Sequence, residues 1–127
     1  MKLLLDTCTF LWIAGGYRLS RRAADLFRAA DNEVYLSAAS AFEIGVKHAK
    51  QNLRLSEPPD RWVPEQRARH GIAMLPIDEE SALHVSRLPP LHRDPFDRLL
   101  VAQAIVHGMT ILTPDNWIAL YPARTTW

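Results

Sequence analysis

Lys2-Leu3-Leu4-Leu5-Asp6-Thr7 is the stretch on which the fold turns. Its unbroken leucine run has no polar alternation, so it reads as a strand covered on both faces rather than one facing water. Asp6 ends the run, and Thr7 to about Ala14 reads as a helix stopped by Gly15-Gly16. A buried strand that passes directly into a helix is the opening of a βαβ unit. The same alternation recurs along the chain. Ser20 caps a helix through about Ala30, Glu33 to Ser37 is a strand, and a helix runs from near Ser40 toward Lys50. After Pro58-Pro59, Asp60 to about Gly71 is helical with a bend expected at Pro64, and Ile72 to Leu75 is a short strand. Asp78 to Val85 forms a helix with acidic residues in its first turn, where the macrodipole favours them. Asp94 with Pro95 behind it is a strong helix start. That helix is apolar nearly all round and should be buried, Gly108 ends it, and Met109 to Leu112 is the next strand. The tail from Trp117 to Trp127 adds a short helix and an edge strand. Strands alternating with helices predict an α/β fold, a three-layer α/β/α sandwich around a mostly parallel sheet with right-handed crossovers.

In such sheets the site lies beyond the carboxyl ends of the strands. Asp6 and Asp115 both follow a predicted strand, while Glu43 and Asp97 lie near the starts of predicted helices. If the strands are neighbours, these carboxylates converge, and converging carboxylates raise one another's pKa unless a cation neutralises them. Oxygen donors without a His or Cys cluster select Mg²⁺ or Mn²⁺ rather than zinc. Each residue also has a plain structural reading. Asp6 is a possible N-cap, although Thr7 can take that role. Ser40-Ala41-Phe42-Glu43 has the pattern of a capping box, and Lys47 stands four residues after Glu43 at the spacing of a surface ion pair. Asp97 complements the positive end of its helix, yet its neighbours Leu100, Val101 and Ala104 form an apolar stripe on which an unpaired carboxylate is expensive to bury. Asp94 is read as the helix cap, and Asp115 follows a Thr-Pro pair where turn chemistry is common.

With 127 residues the chain is expected to form one domain, residues 1–127. Fifteen basic against fourteen acidic residues give a net charge of +1, so any polyanion contact must come from local basic clusters. A single cysteine excludes an internal disulfide and fits a reducing compartment. Asp6 interrupts the first apolar run before it reaches signal-peptide length, and no apolar run approaches the ~20 residues of a membrane helix. A cytoplasmic protein without membrane association is expected.

Three ordered stretches carry a family resemblance: Leu3-Leu4-Leu5-Asp6-Thr7, Ser37 to Ile44, and His92-Arg93-Asp94-Pro95-Phe96-Asp97-Arg98-Leu99-Leu100 continuing to Ala104, with Leu112-Thr113-Pro114-Asp115 completing the order. In these the chain resembles PIN-domain proteins, specifically the VapC-type ribonuclease toxins of bacterial toxin–antitoxin pairs, over essentially its full length. The resemblance implies an acidic site of Asp6, Glu43, Asp97 and Asp115. Asp6 and Asp97 would be direct ligands of Mg²⁺ or Mn²⁺, Asp115 would act closely behind them, and Glu43 would position or activate the attacking water. Thr7 and Thr113 match positions whose hydroxyls support the carboxylates. The resemblance further implies an RNA substrate, a homodimer and a cognate antitoxin. The chain departs from the family pattern at Cys8 and at Pro114, the latter standing where an Arg capable of a phosphate contact is common.

Basic residues near the acidic positions are the candidate RNA contacts, Lys47 after Glu43, and His92, Arg93 and Arg98 around Asp97, although each taken singly reads first as part of an ordinary solvated face. Trp62 and Trp117 could stack on bases if exposed, but core packing is the expectation for both. Cys8 is expected to be a small buried side chain rather than a nucleophile, having no evident His partner. Two other functions fit parts of the pattern. A haloacid-dehalogenase-like phosphatase also places Asp after its first strand, but it uses a second Asp two residues on, where this chain has Cys8. A catalytically silent module would use the acidic pocket to hold a basic peptide.

Overall fold

The computed structural model describes residues 1–127. Five strands, β1 (Lys2–Leu5), β2 (Glu33–Ser37), β3 (Ala73–Leu75), β4 (Thr110–Leu112) and β5 (Arg124–Thr126), form one sheet in the order β3-β2-β1-β4-β5. All four strand pairings are parallel. The helices are α1 (Thr7–Gly15), α2 (Arg21–Arg28), α3 (Ala38–Ala49), α4 (Pro59–His70), α5 (Glu79–His84), α6 (Pro95–His107) and α7 (Asn116–Ala119), with a 3₁₀ turn at Val85–Arg87. The architecture is the expected α/β sandwich.

Strand alternation divides the interior into two cores. Leu3 and Leu5 join Phe10, Ile13, Val34, Leu36, Ile44, Val63 and Leu112 on one face, under α1 to α4. Leu4 joins Leu75, Leu100, Val101, Ala104, Ile111 and Ile118 on the other, under α6 and α7. All three leucines of β1 are fully buried, and the strand's one polar residue, Lys2, is exposed at its start.

The chain leaves the central strand in one direction, to β2 and then β3, and returns to the other side of β1 for β4 and β5. With right-handed crossovers, the outward connections cover one face and the return covers the other. The reversal of strand order between β1 and β4 opens a crevice at their carboxyl ends. α6 is held over this region by a buried side-chain bridge: Gln103 Oε1 accepts from the Ser37 hydroxyl at 2.5 Å, and its amide donates to the Pro76 carbonyl at 3.0 Å. A second tie runs from the Thr9 hydroxyl in α1 to the Leu112 carbonyl at the end of β4, 3.1 Å away. No helix is long and apolar enough to cross a membrane.

Several boundaries differ from the sequence reading by a residue or two, β3 and β4 each beginning one residue later than expected. The second helix ends at Arg28, with Ala29 already extended. The third begins at Ala38 and is capped by Ser37, whose hydroxyl oxygen accepts from the Ala39 amide at 3.0 Å, so Ser40 lies inside the helix. β2 runs into α3 without a loop, and Ser37 is therefore the residue that meets the free amides.

Candidate active site at the strand reversal

Asp6 is the N-cap of α1: one carboxylate oxygen accepts from the Thr9 amide at 2.7 Å. Its other oxygen accepts from the Thr113 hydroxyl at 2.5 Å, and the same Thr113 oxygen accepts from the Asp115 amide at 3.0 Å. Thr113 thus ties the strand ends of β1 and β4 together through their acidic residues. Capping and site placement are not alternatives for Asp6, since its two oxygens face different partners. Burial pushes its carboxyl above the usual range despite these hydrogen bonds, with a smaller push from Asp115.

Glu43 makes no capping box. It stands in the second turn of α3, buried, with Oε1 accepting from the Thr7 hydroxyl at 2.6 Å and Oε2 2.7 Å from Lys47 Nζ. Ser40 Oγ lies 3.0 Å from Thr7 Oγ1, so a short hydroxyl relay leads into the carboxylate. The Lys47 partnership is not confined to the surface. Glu43 raises the Lys47 ammonium's proton affinity, chiefly through their hydrogen bond, and Asp94 and Asp97 add to it. Lys47 is an internal counter-charge of the acidic group.

Asp97 lies in the first turn of α6. Asp94 is the cap, its Oδ1 accepting from the Phe96 amide at 2.9 Å and the Asp97 amide at 3.4 Å. The Asp97 carboxyl is pushed up to about 8, first by burial and then by Asp94, Asp115 and Glu43. This mutual repulsion places Asp97, Asp115 and Glu43 in one electrostatic neighbourhood, and Asp6 joins it through Asp115. Asp115 caps α7, accepting from the Trp117 amide at 2.8 Å.

The tightest group of potential metal donors is His92, Asp94 and Asp97, whose nearest ligand atoms all lie within 4.8 Å of one another. His92 Nε2 is 3.5 Å from Asp97 Oδ2. Sequence spacing singles out no His as a ligand, and the turn at His92 to Asp94 is what brings this ring beside the carboxylates. Its signal in the sequence is the run His-x-Asp-x-x-Asp. The donor set as a whole, mostly carboxylate oxygens whose charge is disfavoured without a cation, fits a hard divalent ion.

Arg98 directs its guanidinium to the Pro89 and Val85 carbonyls at 3.0 and 3.1 Å and to the Tyr121 hydroxyl at 3.2 Å, bracing the loop that carries His92. Two sequence expectations are corrected here. Trp117 is not a core residue: it is 53% exposed, while Ile118 beside it takes the buried position. A helix of only four residues, Asn116–Ala119, turns few side chains inward. Cys8 is exposed, because Thr7 and Thr9 on either side are the ones turned in. Partial burial and the charge of Asp6 push its thiol up, away from nucleophilic use. Trp62 does pack against the core, edge-on to Phe10 at 5.9 Å.

Residues 3–122 match the PIN domain family. The chain belongs to that family. It is 33% identical over 114 residues to a Mycobacterium tuberculosis protein named ribonuclease VapC22, a match that spans 89% of this chain and 86% of that protein. Its fold is similar to a chain in the crystal structure of VapBC2 from Rickettsia felis bound to a promoter DNA fragment, with a TM-score of 0.77, 15% identity, and 99% and 98% of the two chains covered. A DNA-bound VapBC from Salmonella typhimurium is similar with a TM-score of 0.69 and 17% identity over 99% and 97% of the chains. Membership of the PIN family removes the phosphatase reading.

Proposed function

We propose that this chain is a metal-dependent endoribonuclease of the VapC type, the toxin of a toxin–antitoxin pair, which acts in the cytoplasm with residues 1–127 as one nuclease domain. The observation that carries the proposal is the gathering of Asp6, Glu43, Asp97 and Asp115 at the β1/β4 reversal, where burial and the acidic neighbours push the Asp97 carboxyl up to about 8. The similarity to ribonuclease VapC22 supports RNA as substrate, and the VapBC complexes among similar structures support an antitoxin as partner. In this reading the toxin is a homodimer.

Asp6, Asp97 and Asp115 would hold a Mg²⁺ or Mn²⁺ ion. When bound, that ion supplies positive charge against the scissile phosphate and makes water a better nucleophile near neutral pH. The protein's own groups do the positioning. Glu43, fixed by Thr7 on one oxygen and Lys47 on the other, keeps further lone-pair positions with which to orient the attacking water. Thr113 holds the Asp6 carboxylate in register with Asp115. Lys47, half exposed, has ammonium protons to spare for a phosphate oxygen, and Arg93 is exposed beside His92.

The test is cleavage of mixed cellular RNA, including tRNA, by antitoxin-free protein with Mn²⁺, with Mg²⁺ and with chelator, beside Asp6→Asn and Asp97→Asn. Discrete metal-dependent fragments that vanish in both variants are expected. Equal fragments from the wild type and both variants would refute the site.

A further inference from the structure

Beside the acidic site the surface carries an aromatic feature that the proposed chemistry leaves unused. The rings of His92 and Trp117 stack with centroids 5.4 Å apart and planes 11° from parallel. Trp117 is 53% exposed, an unusual state for the largest side chain in a folded domain. Both rings line a groove of about 660 Å³ together with Pro90, Leu91, Arg93 and Arg98. The groove begins at the acidic residues, since His92 Nε2 is 3.5 Å from Asp97 Oδ2 and the Trp117 amide is held by Asp115. It is firmly built. The Tyr121 hydroxyl accepts from the His92 amide at 2.9 Å, and Arg98 clamps the loop carbonyls behind it. An exposed indole stacked on His92, with exposed Arg93 in the same groove, combines a stacking surface with a cation for a backbone phosphate.

We propose that this groove is a nucleobase subsite, in which one unpaired base of the RNA adjoining the scissile phosphate stacks on Trp117 while His92 supports the indole from its other face. The inference rests on the nuclease reading above. Stacking tolerates any base and requires it to be unpaired, so the subsite selects single-stranded RNA next to the cleavage point. His92 contributes here as a positioning residue.

The experiment uses a single-stranded RNA oligonucleotide that the wild-type protein cleaves, with the cleavage point mapped first. Trp117→Ala and Trp117→Phe are compared with wild type, and Leu120→Ala serves as an exposed control just beyond the same helix. An abasic residue is also walked through the oligonucleotide. Trp117→Ala is expected to raise KM by roughly 5- to 150-fold, the range for loss of one base–aromatic stack, with Trp117→Phe intermediate. The abasic residue should reproduce this rise at one position beside the cleavage point, and Trp117→Ala should then add little more. Unchanged KM in Trp117→Ala, with wild-type cleavage intact, overturns the subsite and leaves the nuclease reading standing. A fall in kcat alone, equal on all substrates and at all abasic positions, also overturns it, because Trp117 would then merely prop His92 beside Asp97. Absence of metal-dependent cleavage by the wild type overturns the nuclease reading and the subsite with it.

Discussion

Replacing Asp97 by asparagine should stabilise the metal-free protein while abolishing its proposed activity, and the effect should grow with pH. The carboxyl has its ordinary value of 3.8 in the unfolded chain and about 8 in the folded one. A carboxyl whose pKa is raised by folding contributes stability that is fully present below the unfolded value and is lost as pH rises through the folded one. The loss therefore develops between about pH 4 and pH 8. At ~1.4 kcal/mol for each tenfold change in proton affinity, the ceiling at pH 8 is about 5 kcal/mol. Solvent reaches the site, so screening reduces the realised effect to ~1–3 kcal/mol. Urea denaturation in chelator at pH 5, 6.5 and 8 measures it, and thermal scans should show a shift of roughly 3–5 °C per kcal/mol. The Asp97→Asn variant should be close to wild type at pH 5 and more stable at pH 8, and millimolar Mg²⁺ should stabilise the wild type selectively. A wild-type stability that is flat from pH 5 to 8, or a variant less stable than wild type at pH 8, would refute the claim that Asp97 is held against unrelieved repulsion.

Four further outcomes follow from the same geometry. Thr113→Val removes the donor to Asp6 and the acceptor of the Asp115 amide, so RNA cleavage should fall about 10- to 100-fold, as for other groups that orient metal ligands, with the fold retained by circular dichroism. Lys47→Met should weaken RNA binding similarly across sequences and reduce the slope of log K against log salt by about 1, measured by fluorescence anisotropy at several salt concentrations. Gln103→Leu strands the buried Ser37 hydroxyl and the Pro76 carbonyl, and should cost ~2–4 kcal/mol in urea denaturation. Mg²⁺ affinity measured by calorimetry should rise from pH 6 to pH 8 with proton release, because Asp97 must lose its proton to become a ligand.

The order of elements was legible because its signals are local. Leu3-Leu4-Leu5 marks a doubly covered strand, Asp94-Pro95 starts a helix, and Gly108, with φ of 65°, ends it where other residues would be strained. Asp6 and Asp115 could be proposed for the site because strand ends follow from chain order, whereas Glu43 and Asp97, which lie within α3 and α6, rested on the family resemblance. What failed depends on contacts made across long sequence distances. Ser40 and Glu43 have the capping-box spacing, but Thr7, 36 residues before Glu43, takes the carboxylate, and Ser37 takes the cap. Trp117 looked like core from its size alone; the shortness of α7 and the claim of Ile118 on the interior are what expose it.

The four carboxylates are not equally answered within the protein, and the inequality bears on which one needs a ligand. Asp6 receives a backbone amide and a threonine hydroxyl, Glu43 a hydroxyl and an ammonium, and Asp115 the amide of Trp117. Asp97 receives no donor nearer than His92 Nε2 at 3.5 Å, although it sits above the buried residues Leu100, Val101 and Ala104 and within reach of three other acidic groups. For a half-buried carboxylate among acidic neighbours, keeping a proton or taking a cation both relieve the cost of its charge. The Lys47 ammonium is paired with Glu43 and answers Asp97 only at longer range, so an ion from outside the chain would find the Asp97 charge largely unmet. A divalent ion held by Asp97 and Asp6 would meet it, and in the same act would bring a strong positive field to the mouth of the His92–Trp117 groove. The arrangement expected to make the metal-free protein less stable as pH rises would thus be the one that makes it a receptor for the cation its proposed chemistry requires.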